Sequence, residues 1–206
     1  MKGSVVMMIF RTKRIFIWVM AGVLLTLSFT AHAWFKKYPY NKEFKRWTRE
    51  EQLYQRPDFY ASITWTVTFL SPKFIEALGD EIARIYDHSA REKSEYHREN
   101  LAKFDELTPF FVSFYAYDRN TMDLTQKYPS WKVRLVVNGR RYDAVRVEKI
   151  AKPDVLTVTL FPYVKAWANH YYLYFPKVDL TGTTQFELSV DGPYAKGRLS
   201  WLNVLH

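Results

Sequence analysis

ITWTVTF, residues 63–69, alternates Ile63, Trp65, Val67 and Phe69 with Thr64, Thr66 and Thr68. Successive side chains of a strand point to opposite faces, so this period of two sends the large apolar groups one way and the three β-branched hydroxyls the other. The stretch reads as a half-buried strand whose apolar side faces a core. Ser71-Pro72 then closes the strand and opens a helix. Serine suits the cap, and proline suits the first helical position, where its missing N–H is not needed.

Downstream, Lys73 to Leu107 carries Phe74, Leu78, Ile82 and Ile85, and later Leu101, Phe104 and Leu107, at helical spacing around a charged middle. This predicts two helices or one interrupted helix. After Pro109 the period of two returns, predicting strands at Phe110–Tyr117, Trp131–Val137, Arg140–Glu148, Val155–Phe161, Tyr171–Phe175, Phe186–Val190 and Arg198–Leu202. Asn138-Gly139 between two alternating runs is a hairpin signal, because both residues tolerate positive φ. Short strands, frequent turns and no βαβ alternation predict a mainly β fold. The expected architecture is an antiparallel immunoglobulin-like or Greek-key β-sandwich. A helical insertion (72–108) falls between its first and second strands, and a short amino-terminal helix precedes it.

Upstream, Phe44, Trp47, Glu51 and Tyr54 fall at helical spacing, which predicts an amphipathic helix over Asn41–Gln55, within an amino-terminal extension (34–60) that precedes the sandwich domain (61–206). Residues 1–33 have the order of a signal peptide: a basic cluster Arg11–Arg14, an apolar run Ile15–Phe29, and small residues in Ala31-His32-Ala33. Cleavage near Ala33 would deliver a periplasmic or secreted protein. The alternative is an uncleaved amino-terminal membrane anchor, which needs about twenty apolar residues.

The 206-residue chain has a formal charge of +9 and no cysteine. Lys2, Arg11, Lys13 and Arg14 lie in the export segment, which holds no acid, so the remainder carries +5. That balance is modest, and basic residues are interspersed with acids. It argues against nucleic acid and is compatible with weak attraction to anionic lipid or polysaccharide. The lack of cysteine excludes disulfides, thiolate metal sites, catalytic thiols and a lipidated cysteine. With hydrophobic residues at 48% and aromatics at 18%, a folded core is expected.

No glycine-flanked nucleophilic serine, glycine-rich phosphate loop or paired-histidine metalloprotease motif occurs. Neither a catalytic residue nor a cofactor is therefore assigned. His88 and Glu92 lie one helical turn apart, a spacing that can place two metal ligands on one face, but a site needs a third. Asp118, Asp123, Asp143 and Asp154 sit near strand ends or turns, where aspartate is favoured for bonding to nearby backbone amides. Arg119, Arg140 and Arg141 also fall near turns, within reach of an anionic ligand.

Trp167 to Pro176 concentrates aromatic residues. Alternation puts Tyr171, Leu173 and Phe175 on one face and Tyr172 and Tyr174 on the other. Either the second face is covered by the inserted helices, or Tyr172, Tyr174 and Trp167 form a ligand-binding surface that stacks on a sugar ring or docks a partner.

The segments RWTREEQLYQRPDFYASITWTVTFLSPKF (46–74), FFVSFYAYDRNTMDL (110–124) and WKVRLVVNG (131–139) resemble a family of uncharacterised exported proteins and lipoproteins of Gram-negative bacteria. The resemblance implies an envelope location and supplies no site residue. The expected function is a non-enzymatic binding or interaction module of the cell envelope, with a protein partner or glycan as its target. The alternatives are an envelope hydrolase acting on polysaccharide or peptide and a carbohydrate-binding domain.

Overall fold

A computed structural model describes residues 39–54, 61–180, 182–193 and 195–202, without the side chains of 61, 62, 103 and 104. The export segment and its alternative, a membrane anchor, lie outside the described residues. Among the described residues no helix is long and apolar enough to cross a membrane.

Two antiparallel sheets make up the body. The first has the order β1-β2-β3-β7-β6, from Thr48–Tyr54, Ala61–Phe69, Leu107–Ala116, Asn169–Pro176 and Arg146–Ile150. The second has the order β5-β4-β8-β9, from Arg140–Asp143, Lys132–Val137, Gln185–Asp191 and Lys196–Leu202. Among the described residues there are four α-helices: α1 (Pro39–Trp47), α2 (Pro72–Tyr86), α3 (Ala90–Glu106) and α4 (Val155–Leu160).

The alternation in β2 is realised. Ile63, Trp65, Val67 and Phe69 are all fully buried between the sheets. They meet Phe110 of β3 and Phe186 and Trp201 of the second sheet, where Phe69 lies 5.0 Å from Phe110 and Phe186 stacks on Trp201 at 5.2 Å. Burying large aromatic side chains removes the most apolar area per residue, which makes this layer the main source of stability. Asn138 and Gly139 turn β4 into β5 with φ of +49° and +77°, as the hairpin signal predicts. Ser71 caps α2 by accepting a hydrogen bond from the Phe74 amide at 3.1 Å. Ser89 and Glu92 exchange reciprocal bonds at the start of α3.

Three elements depart from the sequence reading. The helix expected over Asn41–Gln55 stops at Trp47, and Thr48–Tyr54 is a strand paired with β2 from Thr48↔Thr68 to Leu53↔Ile63. Without it the β2 backbone, carrying fully buried side chains, would face unpaired groups, and satisfying these outweighs a weak local helical preference. The helical insertion consequently lies between the second and third strands. Arg140–Glu148 is two strands in different sheets, because the chain breaks at Ala144-Val145 and the Val145 amide donates to the Tyr174 carbonyl at 2.8 Å. Val155–Phe161, read as a strand, is the helix α4, capped by Asp154 Oδ1 on the Thr157 amide at 2.7 Å. Its β-branched residues favour a strand, but the cap and the burial of Leu160 and Phe161 with Val155 exposed follow a helical period.

The outer strands β1 and β9 approach each other and are joined through side chains. Glu51 Oε2 accepts from the Trp65 indole and from the Arg198 amide, both at 3.0 Å, while Arg49 Nε donates to the Ser200 carbonyl at 3.0 Å. Inward-pointing charges of this kind also block pairing of an edge with another chain. Gly197 permits the approach, since a Cβ there would lie 2.3 Å from Glu51 Oε2.

Candidate functional site

The outward faces of the two sheets differ. On the second sheet Arg134 bridges Asp143 and Asp191 at 3.1 and 2.9 Å, in a water-facing lattice of charge pairs. On the first sheet the register aligns polar side chains across strands: the hydroxyls of Thr64 and Thr66 of β2 and Ser113 of β3, beside Glu50 and Gln52 of β1. α1 and the segment that leads into β7 rise on either side of this floor. The result is an open groove of about 670 Å³, walled by Phe44, Lys45, Tyr163, Lys165 and Trp167.

One end of the groove is a hydroxyl chain in which Thr48 Oγ1 meets Thr68 Oγ1 at 2.8 Å and Thr68 Oγ1 meets the Tyr163 hydroxyl at 2.7 Å. Burial pushes the Tyr163 phenol well above its ordinary pKa, so it stays a neutral hydrogen-bonding group. Along β1, the Tyr54 hydroxyl donates to Gln52 Oε1 at 2.8 Å. Trp167 is 51% exposed, whereas Trp47, Trp65, Trp131 and Trp201 are at most 1% exposed. Its ring is perpendicular to that of Tyr115, at 5.0 Å and 86°, so Tyr115 covers at most one indole face, and the indole N–H has no hydrogen-bond partner among the described residues. On its far side Trp167 borders a shelf with Arg119 and Lys149.

The three predicted ligand-binding residues are not brought together. Trp167 lies in the groove, while Tyr172 and Tyr174 line a second cavity of about 300 Å³, between the sheet and α2 and α3. The predicted division of faces is observed: Tyr171, Leu173 and Phe175 are buried in the core, and Tyr172 and Tyr174 point outward beneath the inserted helices. Desolvation, then the nearby Tyr174 and Tyr96 phenols, push Tyr172 up to about 12.

The candidate carboxylates and histidines have structural partners. Glu92 is occupied by its bonds to Ser89 and His88 stacks on Tyr86, so the pair does not converge; among the described residues no three potential metal ligands cluster. Asp118 caps a short turn, Asp123 accepts from the Thr125 amide and hydroxyl, and Asp143 pairs with Lys132 and Arg134. The Thr125 hydroxyl holds the Asp123 carboxyl below its ordinary range, as the Thr157 side chain does for Asp154. His170 is buried, with Nε2 donating to the Lys165 carbonyl at 3.1 Å and Nδ1 unpartnered. It thereby ties down the wall that carries Lys165 and Trp167.

Alternation in the sequence places Thr64 and Thr66 of this floor on the outward face of β2, whereas Ser113 carries no signal of its own. The floor's concave setting arises from α1 and residues 162–168, which local periodicity does not position. Comparison with protein-family models, curated proteins and solved structures gives no match.

Proposed function

We propose that this chain is a non-enzymatic binding module of the cell envelope that holds an acidic glycan in the groove on its five-stranded sheet. The observation that carries this reading is the Trp167 indole, open on one face, beside a floor of hydroxyl and amide side chains. A pyranose ring offers an apolar face to an indole and hydroxyls to such a floor. Lys45 and Lys165 at the rim, with Arg119 and Lys149 beyond Trp167, favour an anionic chain. Glycoside hydrolysis commonly needs two carboxylates across the scissile bond, and Glu50 is the one carboxylate among the described groove residues. This favours binding over catalysis.

The test is fluorescence titration with an oligogalacturonate, since Trp167 is the exposed indole of the described five. Quenching or a blue shift that is saturable, weaker with a neutral oligosaccharide and abolished in Trp167→Ala supports the reading. An unchanged spectrum at millimolar ligand refutes it. The envelope location predicts a mature amino terminus at Trp34, and sequencing of the protein from its native host that begins at Met1 removes that part.

We also infer an immunoglobulin-type Greek key. The order β2-β3-β7-β6 over β5-β4-β8-β9, with crossings between sheets after β3, β5 and β7 and a buried Trp131 just before β4, supports it. β1 and the helices are then additions. Nuclear Overhauser contacts between Lys149 and Tyr171 and between Leu135 and Leu188 are expected, and β6 found paired to β5 would refute the topology.

A further inference from the structure

The cavity beneath the inserted helices has a chemistry distinct from the groove. Its walls combine four aromatic rings, Tyr96, Phe161, Tyr172 and Tyr174, with the apolar side chains of α2, and its one charged lining residue among those described is Glu148. Among the described residues no lysine or arginine lines it. Aromatic faces and a carboxylate both attract positive charge, and aromatic cages of this composition suit ammonium groups in particular.

The protein already places a cation against this mouth. The Arg146 guanidinium lies 4.0 Å from the Tyr174 ring centroid, and its Nε is 3.2 Å from Glu148 Oε1. The other Glu148 oxygen accepts from the Tyr174 hydroxyl at 3.3 Å. Deeper in, the Tyr96 and Tyr172 hydroxyls make no hydrogen bond among the described residues, so they can turn oxygen lone pairs toward an entering cation. Tyr172 and Tyr174, with centroids 6.4 Å apart and planes at 31°, offer two faces in succession.

We propose that this cavity is a binding site for a small organic cation, an alkylated ammonium group with a short apolar body, and that Arg146 acts as an intramolecular competitor at its mouth. The ammonium group meets Glu148 and the tyrosine faces, while the apolar body packs against Ile75 and Leu78 of α2. A free alkylammonium and a choline-type lipid headgroup share this chemistry.

Isothermal titration of the folded protein with hexyltrimethylammonium, hexanol and hexanoate tests the charge preference directly. The cation is expected to bind at least about tenfold more tightly than the alcohol, and hexanoate more weakly than either. Glu148→Gln should weaken the cation about tenfold while leaving hexanol unchanged, and Arg146→Gln should strengthen it several-fold. Melting temperatures of both variants confirm folding, and both positions are exposed enough to tolerate the change. Equal affinity for hexanol and the cation, no binding of the cation at millimolar concentration, or indifference to Glu148→Gln would each overturn the proposal. Sedimentation with phosphatidylcholine vesicles that free choline competes away assigns the cation to a headgroup. Binding of free cation without sedimentation assigns it to a soluble molecule. Neither result bears on the groove, whose ligand is read through Trp167.

Discussion

Replacing Glu51 by leucine removes a carboxylate oxygen that accepts two hydrogen bonds where the two sheets meet at the β1/β9 seam. Glu51 Oε2 accepts from the indole of the fully buried Trp65 and from the Arg198 backbone amide, each at 3.0 Å. A buried donor left without an acceptor costs about 1–3 kcal/mol. The Trp65 indole should bear most of that penalty, and the Arg198 amide less, because water reaches β9. The sum for Glu51→Leu is about 2–4 kcal/mol, which in a domain of this size corresponds to a melting temperature lower by roughly 5–12 °C. Glu51→Gln is the informative control. A side-chain carbonyl in the same position can accept both bonds and loses only the charge assistance, about 1 kcal/mol. Urea denaturation followed by the fluorescence of the buried tryptophans gives both values, provided the slope with denaturant is unchanged. The reasoning is refuted if Glu51→Leu falls within about 0.5 kcal/mol of Glu51→Gln.

Gly192→Ala would place a Cβ 1.9 Å from Trp131 Cε3, against a ring that is 1% exposed and fixed by its 3.0 Å bond to Thr121 Oγ1. Overpacking there should cost about 2–3 kcal/mol by denaturation, and a loss below that of Gly139→Ala, which has open space at φ +77°, would contradict the packing. His170 gives a pH dependence. Burial lowers its folded pKa below the ordinary value, so the unfolded chain takes up the proton first. Its contribution is therefore complete above about pH 6.5 and is lost as pH falls toward the lowered folded value. Between pH 7 and 5 the wild type should lose more stability than His170→Phe, and equal slopes would show that the buried ring does not titrate as described.

Much of this protein was legible in the amino-acid sequence because periodicity, caps and turn chemistry act within a few residues. The alternation of Ile63, Trp65, Val67 and Phe69 specifies a core face whatever lies opposite, the Ser71-Pro72 pair starts α2 by local hydrogen bonding, and Asn138-Gly139 turns because both residues accept positive φ. The division of Tyr171, Leu173 and Phe175 from Tyr172 and Tyr174 followed from the same pleat. Tertiary structure decided the elements whose partners are remote. Thr48–Tyr54 became a strand because β2 needed a neighbour, Arg140–Glu148 divided because its two halves pair with different sheets, and Val155–Leu160 turned helical beside its Asp154 cap. Both candidate sites belong to this second class. Trp167 and Ser113 meet across the groove only through the path of residues 162–168, and Tyr172 faces Tyr96 only because α3 folds back over β7. A local pattern determines which way a side chain points, but what it points at depends on chain segments distant in sequence, whose approach is driven by non-directional apolar burial and leaves no local signal.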